Sequence, residues 1–110
     1  FLGAPVQMLE MEAAPDLLSL FRRETTTHGR WRALHALRGV GATPVEAVGE
    51  LRAALADPDG DVQAEAAGVL GDLGPAAATA VPDLEKLAAA PRGRASVAAE
   101  RALRRIRGAR

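Results

Sequence analysis

The sequence predicts an all-α fold, an α–α superhelix or solenoid of about three helical hairpins. The chain of 110 residues repeats itself with a period of 33, and each repeat holds two apolar stripes at helical spacing. Alanine and leucine dominate the apolar residues. Beta-branched residues are sparse and the aromatic residues are only Phe1, Phe21 and Trp31, which argues against long strands.

The period aligns apolar residues in columns. Residues 26–58 and 59–91 share 8 identities in 33 positions without a gap. Leucine, proline and glycine columns contribute to this match, so it is more than a consequence of high alanine content. The main columns are Leu37, Leu70 and Leu103; Ala33, Ala66 and Ala99; Val40, Leu73 and Ile106; and Leu18, Leu51 and Leu84.

The first repeat is predicted to hold one helix after Pro15 and a second over residues 30–40. Leu17, Leu18, Leu20 and Phe21 mark the first helix. Residues 25–29 are predicted to form the loop that joins the two. Residues 1–14 are predicted to be a capping segment or the end of a preceding repeat.

In the second repeat, the apolar stripe of residues 46–56 predicts a helix that Pro58 ends. The sequence Asp-Pro-Asp-Gly at 57–60 is typical of a turn, and Asp59 or Asp61 can cap the helix that follows. That helix carries its stripe at Val62, Ala66, Val69, Leu70 and Leu73, and Gly74 with Pro75 is predicted to close it.

The third repeat follows the same scheme. One helix carries Val81, Leu84, Leu87 and Ala88 and ends before Pro91, and a second carries its stripe from Ala95 to Ile106. Two helices joined by a tight turn cannot bury their apolar faces alone, but stacked hairpins can. Alanine columns let the helix axes approach closely, and leucine columns fill the remaining space.

Residues 51–84, LRAALADPDGDVQAEAAGVLGDLGPAAATAVPDL, resemble HEAT repeats of the short bacterial kind, also called phycobiliprotein-lyase-like. The family pattern has leucines in the first helix, an Asp-Pro turn, and valine, paired alanines, Leu-Gly and Leu-Gly-Pro in the second. The matching positions here are Leu51, Leu55, Asp57-Pro58, Val62, Ala66-Ala67, Leu70-Gly71 and Leu73-Gly74-Pro75.

The resemblance is specific over residues 44–75 and good over 76–107, where Arg104 and Arg107 replace glycines. It is weak over 15–41, where Gly29 stands at the valine position and Arg38 at the glycine position. The predicted units are therefore a degenerate repeat at 15–41, a repeat at 42–74, and a repeat at 75–110 with a basic C-terminal helix.

Ankyrin repeats share the 33-residue period, and GATPVEAV at 41–48 is similar to their opening motif. The motif does not recur one period later, and Glu46 stands at its histidine position. The HEAT-like assignment is therefore favoured.

Composition and motifs exclude several classes of function. The chain has no cysteine, which excludes disulfides and thiol chemistry. No apolar stretch approaches the length of a membrane span, and no signal peptide is visible, so a cytoplasmic location is expected. The first residue is Phe1, so the chain is expected to be a piece of a longer protein.

No residue pattern indicates catalysis, a metal or a cofactor. His28 and His35 lie two helical turns apart, about 10 Å along the axis, and cannot share an ion without other ligands. The acidic residues at 57, 59 and 61 lack the glycine and glutamate that a calcium loop requires, since Val62 and Gly68 stand there. The His-Glu dipeptides of di-iron enzymes that resemble this family are absent as well.

Charge is segregated along a chain whose net charge is zero. Residues 1–41 carry five basic and four acidic groups, residues 42–91 carry two and nine, and residues 92–110 carry seven and one. Two interpretations stay open for the arginines of the last helix. They are either an edge that binds an acidic protein or nucleic-acid phosphates, or a solvated face that complements the helix dipole.

The resemblance implies a non-catalytic scaffold for protein–protein interaction, with another protein as the partner. The alternatives are nucleic-acid binding through the arginine-rich helix and a HEAT-like lyase subunit. No membrane partner and no small-molecule substrate are indicated. The predicted contact residues are exposed side chains of the second helices, namely Gln63, Glu65, Arg101, Arg104 and Arg105.

Overall fold

The computed structural model describes residues 19–40 and 47–108, which contain helices and turns and no strand. This confirms the all-α prediction. Residues 19–23 are helical, and five α-helices and one 3-10 segment follow. The α-helices are α1 (Thr27–Val40), α2 (Val48–Ala54), α3 (Gly60–Leu73), α4 (Val81–Ala88) and α5 (Arg94–Ile106), and the 3-10 segment is Gly74–Ala80.

Three of the five α-helices begin where a side chain accepts hydrogen bonds from backbone N–H groups. Asp59 caps α3, because its carboxylate accepts hydrogen bonds from the backbone N–H groups of Asp61 and Val62 at 2.8 and 3.1 Å. At the start of α5, the Ser96 hydroxyl accepts a hydrogen bond from the Gly93 N–H at 2.8 Å. The sequence placed a cap at Asp59 or Asp61, and the structure selects Asp59.

The loop before α1 is shorter than the predicted range, residues 25–29. The Gly29 N–H donates to the Thr26 hydroxyl at 3.0 Å, and the Arg30 N–H donates to the Thr26 carbonyl at 3.0 Å. Thr26 thus caps α1, which begins at Thr27 instead of Arg30. Three residues assigned to the loop belong to the first turn of the helix.

Helix ends follow the predicted signals. α2 ends at Ala54, before Pro58, and α4 ends at Ala88, before Pro91. At the end of α3 the backbone of Gly74 adopts a φ of 63°, a conformation that a side chain disfavours. The chain then continues as the 3-10 segment and turns into α4.

The second helices of the hairpins, α1, α3 and α5, lie side by side with α3 in the middle. The predicted columns are buried in the same way in each. Leu37, Leu70 and Leu103 are 0%, 0% and 7% exposed, and Ala33, Ala66 and Ala99 are buried as well. The 33-residue period is therefore the spacing at which successive hairpins pack.

Several predictions fall outside the described residues. These are the capping segment at 1–14, the start of the first helix at Leu17 and Leu18, residues 41–46 of the motif at 41–48, and the side chain of Val40. The unit boundaries proposed from the sequence stay predictions.

Candidate interaction surface

A groove runs between α3 and α5 on the exposed side of the second helices. Two adjoining depressions share Arg38, Ala64, Ala98 and Arg101. We call this surface the arginine groove. Its floor is formed by small residues and its rim by arginines; the floor is Ala64, Gly68, Gly71, Ala98 and Ala102, and the rim is Arg38, Arg94, Arg101 and Arg105.

The floor exists because α3 and α5 approach closely. A Cβ atom added at Gly71 would lie 3.0 Å from the Cα and 3.2 Å from the Cβ of Ala102. Few real Cβ atoms come so near a neighbouring backbone, so glycine permits this crossing. The Leu-Gly pair of the repeat pattern thereby has a packing role between successive units.

Where α1 borders the groove, two of its side chains contact the buried carboxylate of Glu65 in α3. Arg38 Nη1 lies 3.2 Å from Glu65 Oε1, and His35 Nδ1 lies 3.4 Å from Glu65 Oε2. Arg38 Nε also lies 3.6 Å from a carboxylate oxygen of Asp72. Glu65 is only 5% exposed, so these partners compensate a charge that has been removed from water.

On the other side, α3 and α5 are joined by ion pairs between residues one period apart. Asp61 Oδ1 lies 2.8 Å from Arg94 Nη1, and Asp72 Oδ1 lies 2.7 Å from Arg105 Nη1. Both pairs have a sequence separation of 33. At these two positions, the aspartate of the second unit therefore pairs with the arginine that replaces it in the third unit.

Ion pairs also join the first helices of neighbouring hairpins, at other sequence separations. Arg22 pairs with Glu50, and Arg52 of α2 pairs with Asp83 of α4. In addition, Arg30 Nε donates to Asp57 Oδ2 at 2.9 Å, which ties α1 to the turn before α3. Acidic residues of the middle segment, 42–91, therefore pair with arginines of the units on either side, in the pairs Arg22–Glu50, Arg30–Asp57, Arg94–Asp61 and Arg105–Asp72.

The predicted contact residues have different environments. Glu65 was expected to be exposed, and this expectation is wrong, because α1 covers it with Arg38 and His35. Gln63 is half-buried and donates from Nε2 to the Leu55 carbonyl at 3.1 Å. Arg105 is exposed but bound to Asp72.

Arg101 and Arg104 differ from the other arginines of α5. Both are exposed, and neither has a carboxylate oxygen within 4.0 Å among residues 19–40 and 47–108. Arg94 and Arg105 bind α3, and Arg107 binds Glu85 of α4. Two of the four arginines of α5 are therefore paired with carboxylates of α3, and Arg101 and Arg104 are its available cations.

Sequence reasoning missed the ion pairs that cross between units. A usable signal was present, since Asp61 and Asp72 have arginine one period later. The pairing of Glu65 with His35 and Arg38 had no such signal, because it depends on how far α1 is offset along α3.

The three aromatic rings of α1 form a stack. The ring of Trp31 lies between those of His28 and His35, with centroid distances of 6.1 and 5.0 Å. Trp31 is half-buried and packs against the core. In the described part of the chain, no three His, Asp or Glu side chains form a group that could hold a metal ion.

None of the helices described combines the length and the apolar character needed to cross a bilayer. A family model described as HEAT repeats matches residues 14–104. No curated protein and no solved structure matches the chain.

Proposed function

Because the chain belongs to the HEAT repeat family, whose model matches residues 14–104, we propose that it is a non-catalytic module that binds another protein. HEAT repeats generally serve as scaffolds for protein–protein interaction. In such stacks the units form a continuous surface, and binding depends on its shape and charge.

The arginine groove supports this proposal best. Its floor of small residues leaves room for a partner's side chains, and Arg101 stands at the rim as a cation without a carboxylate partner in the described ranges. An acidic segment of a partner protein would form charge-assisted hydrogen bonds with Arg101. Arg104 lies one turn further along α5, and Gln63 and Arg105 would contribute only after breaking internal hydrogen bonds.

The internal ion pairs favour a protein partner over nucleic acid. Nucleic-acid affinity rises with the number of phosphates that cationic side chains neutralise. Arg38, Arg94 and Arg105 of the groove are already bound to carboxylates of α3. The groove lining also lacks aromatic residues on which bases could stack.

The proposal of a non-catalytic role has its own support. General acid–base or nucleophilic catalysis requires a reactive group beside an accessible partner. In the groove, the one carboxylate of the lining is Glu65, which is buried and bound to Arg38.

Photo-crosslinking tests this proposal. A benzophenone amino acid replaces Val97, which lines the groove, or Lys86, an exposed residue of α4, in the protein produced in its native host. We expect a discrete protein adduct from position 97, weakened by Arg101→Glu, and no such adduct from position 86. Equal adducts at both positions, or adducts that nuclease removes, would contradict the proposal.

A further inference from the structure

Only one cation of the arginine groove is left for an occupant. The other three arginines of its rim pair with acids of α3, and these pairs are Arg38–Glu65, Arg94–Asp61 and Arg105–Asp72. Arg101 lines both depressions, and no carboxylate oxygen of residues 19–40 or 47–108 lies within 4.0 Å of it. The groove therefore offers one uncompensated positive charge, although four arginines surround it.

Arg101 stands where the two depressions meet. α3 and α5 form the walls of the groove, and Arg38 reaches it from α1, so every wall comes from a helix inside the stack. Each depression is lined by Arg101 together with Ala64 and Ala98. A carboxylate bound to Arg101 would thus lie near the middle of the groove, and the chain that carries it could extend into both depressions.

The floor of the groove is apolar and small. Val97 and Ala98 are half-buried, so part of their apolar surface stays in contact with water. Covering that surface favours an occupant with apolar side chains. The two depressions have volumes of about 380 and 200 Å³, near or below the lower end of the roughly 300 to 1,000 Å³ of small-molecule pockets. Side chains of a polypeptide laid along the groove fit such depressions better than an enclosed small molecule does.

We propose that the arginine groove binds a polypeptide segment with a single acidic side chain, which pairs with Arg101 and has small apolar residues on both sides. This proposal rests on the proposed function and specifies the chemistry of the partner. Charge complementarity argues for this occupant. A second acid would have to displace Glu65, Asp61 or Asp72 from its arginine, and the displaced carboxylate would then lack compensation.

The same reasoning disfavours a polyanion. One phosphate of a nucleic acid can pair with Arg101, but its neighbours would meet arginines that carboxylates already occupy. Another copy of the chain is a poor occupant as well, because the described acids of α3 are bound by arginines of their own chain.

Peptide display tests the proposal. A library of random twelve-residue peptides is first depleted on the variant Ala98→Trp, whose new ring fills the floor of both depressions, and is then selected on the unaltered chain. We expect the enriched peptides to share one aspartate or glutamate at a fixed position, with alanine, valine or leucine beside it. Fluorescence anisotropy of the most enriched peptide gives its Kd.

Two variants of α5 provide a matched comparison. Arg101→Gln should weaken binding of this peptide about tenfold, because a charge-assisted pair is lost. Arg104→Gln removes the same charge from an exposed arginine that does not line the groove, and it should change the Kd less than about twofold. Replacing the acid of the peptide by its amide should weaken binding to the unaltered chain about tenfold and add little loss in Arg101→Gln. Circular dichroism checks that each variant folds.

Several results would overturn the proposal: no enriched peptide, enrichment of peptides with several acids, equal losses in Arg101→Gln and Arg104→Gln, or tighter binding of a DNA duplex than of the peptide. Self-association of the chain that Arg101→Gln abolishes would also overturn it. If position 97 gives a protein crosslink but the peptide results fail, the single-acid chemistry is wrong and the interaction module stands. If no partner protein is crosslinked, the proposed function itself fails.

Discussion

At the scale of single residues, burial separates side chains that look alike in the sequence. Glu50 and Glu65 are both glutamates in a helix, and each pairs with an arginine of the first unit. The Glu65 side chain is 6% exposed and that of Glu50 is 32% exposed. Removing one partner of a buried pair leaves the other without compensation, whereas an exposed partner is solvated by water.

Arg38→Ala should therefore lower the free energy of unfolding by about 1 to 3 kcal/mol, because the buried Glu65 carboxylate loses its arginine. Arg22→Ala, the matched control, leaves the exposed Glu50 and should lower it by less than about 1 kcal/mol. Chemical denaturation monitored by circular dichroism measures both. Equal losses would contradict the assigned environment of Glu65.

Glycines that look alike in the sequence also differ in how closely other atoms surround them. Gly71→Ala should destabilise the protein by about 1 to 2 kcal/mol, because the new Cβ meets the backbone of Ala102. Gly49 of α2 has no atom within 4 Å of the Cβ position. Gly49→Ala should therefore stabilise the protein by about 0.5 to 1 kcal/mol. Thermal unfolding of the two variants checks the opposite signs, and a gain for Gly71→Ala would be inconsistent with the close crossing.

At the scale of helices, local signals decide where each element begins and ends. Asp59 caps α3, and the prolines at 58 and 91 follow the ends of α2 and α4. Such signals involve neighbouring residues, so they could be predicted from the sequence. The start of α1 could not be predicted correctly, because three consecutive threonines stand there as possible caps and the structure uses Thr26.

The exposure of residues at the candidate surface could be predicted only in part, because some of their contacts join residues that are far apart in the sequence. Arg101 and Arg104 are exposed as expected, because they lie off the apolar stripe of their own helix. The burial of Glu65 depends on Arg38, 27 residues earlier, and on the offset between α1 and α3. The pattern of one helix contains no information about that offset.

The cap of α3 gives a prediction at this scale. Asp59→Ala should reduce the free energy of unfolding by about 1 kcal/mol, because two backbone N–H groups lose their acceptor. Asp59→Asn retains an oxygen acceptor and should cost only a few tenths of that. Urea denaturation of the two variants distinguishes a lost cap from a lost charge. Equal losses would indicate that the charge, and not the hydrogen bonds, matters.

At the scale of the whole molecule, opposite charges meet at each boundary between units. Exposed ion pairs contribute little stability individually. Their arrangement nevertheless disfavours other orders of stacking, because acidic surfaces would then face acidic ones. We infer that the charge pattern selects the order and register of the hairpins, while buried leucine and alanine supply most of the stability.

Reversing the charges at one boundary tests this role. Arg94→Glu and Arg105→Glu together place acids against Asp61 and Asp72. The double variant should lose about 1 to 2 kcal/mol, since two attractions become repulsions. The control Arg23→Glu, Lys86→Glu has the same net charge and should lose less than about 1 kcal/mol. Denaturation at low salt measures both, and similar losses would refute a specific role for the boundary.

The central claim is that hairpins stack in a 33-residue register, with α5 crossing α3 at Gly71. Because the chain has no cysteine, an engineered pair tests it cleanly. Gly71→Cys with Ala102→Cys should form an intramolecular disulfide on mild oxidation, because the two Cβ positions are 3.2 Å apart and a shift of a few tenths of an ångström brings them to the roughly 3.5 to 4.5 Å of a disulfide. Gly71→Cys with Ala98→Cys, one turn away, should not. Mass spectrometry under non-reducing conditions measures the fraction of each disulfide. No disulfide in the first pair, or a faster one in the second, would contradict the register and the stacking that depends on it.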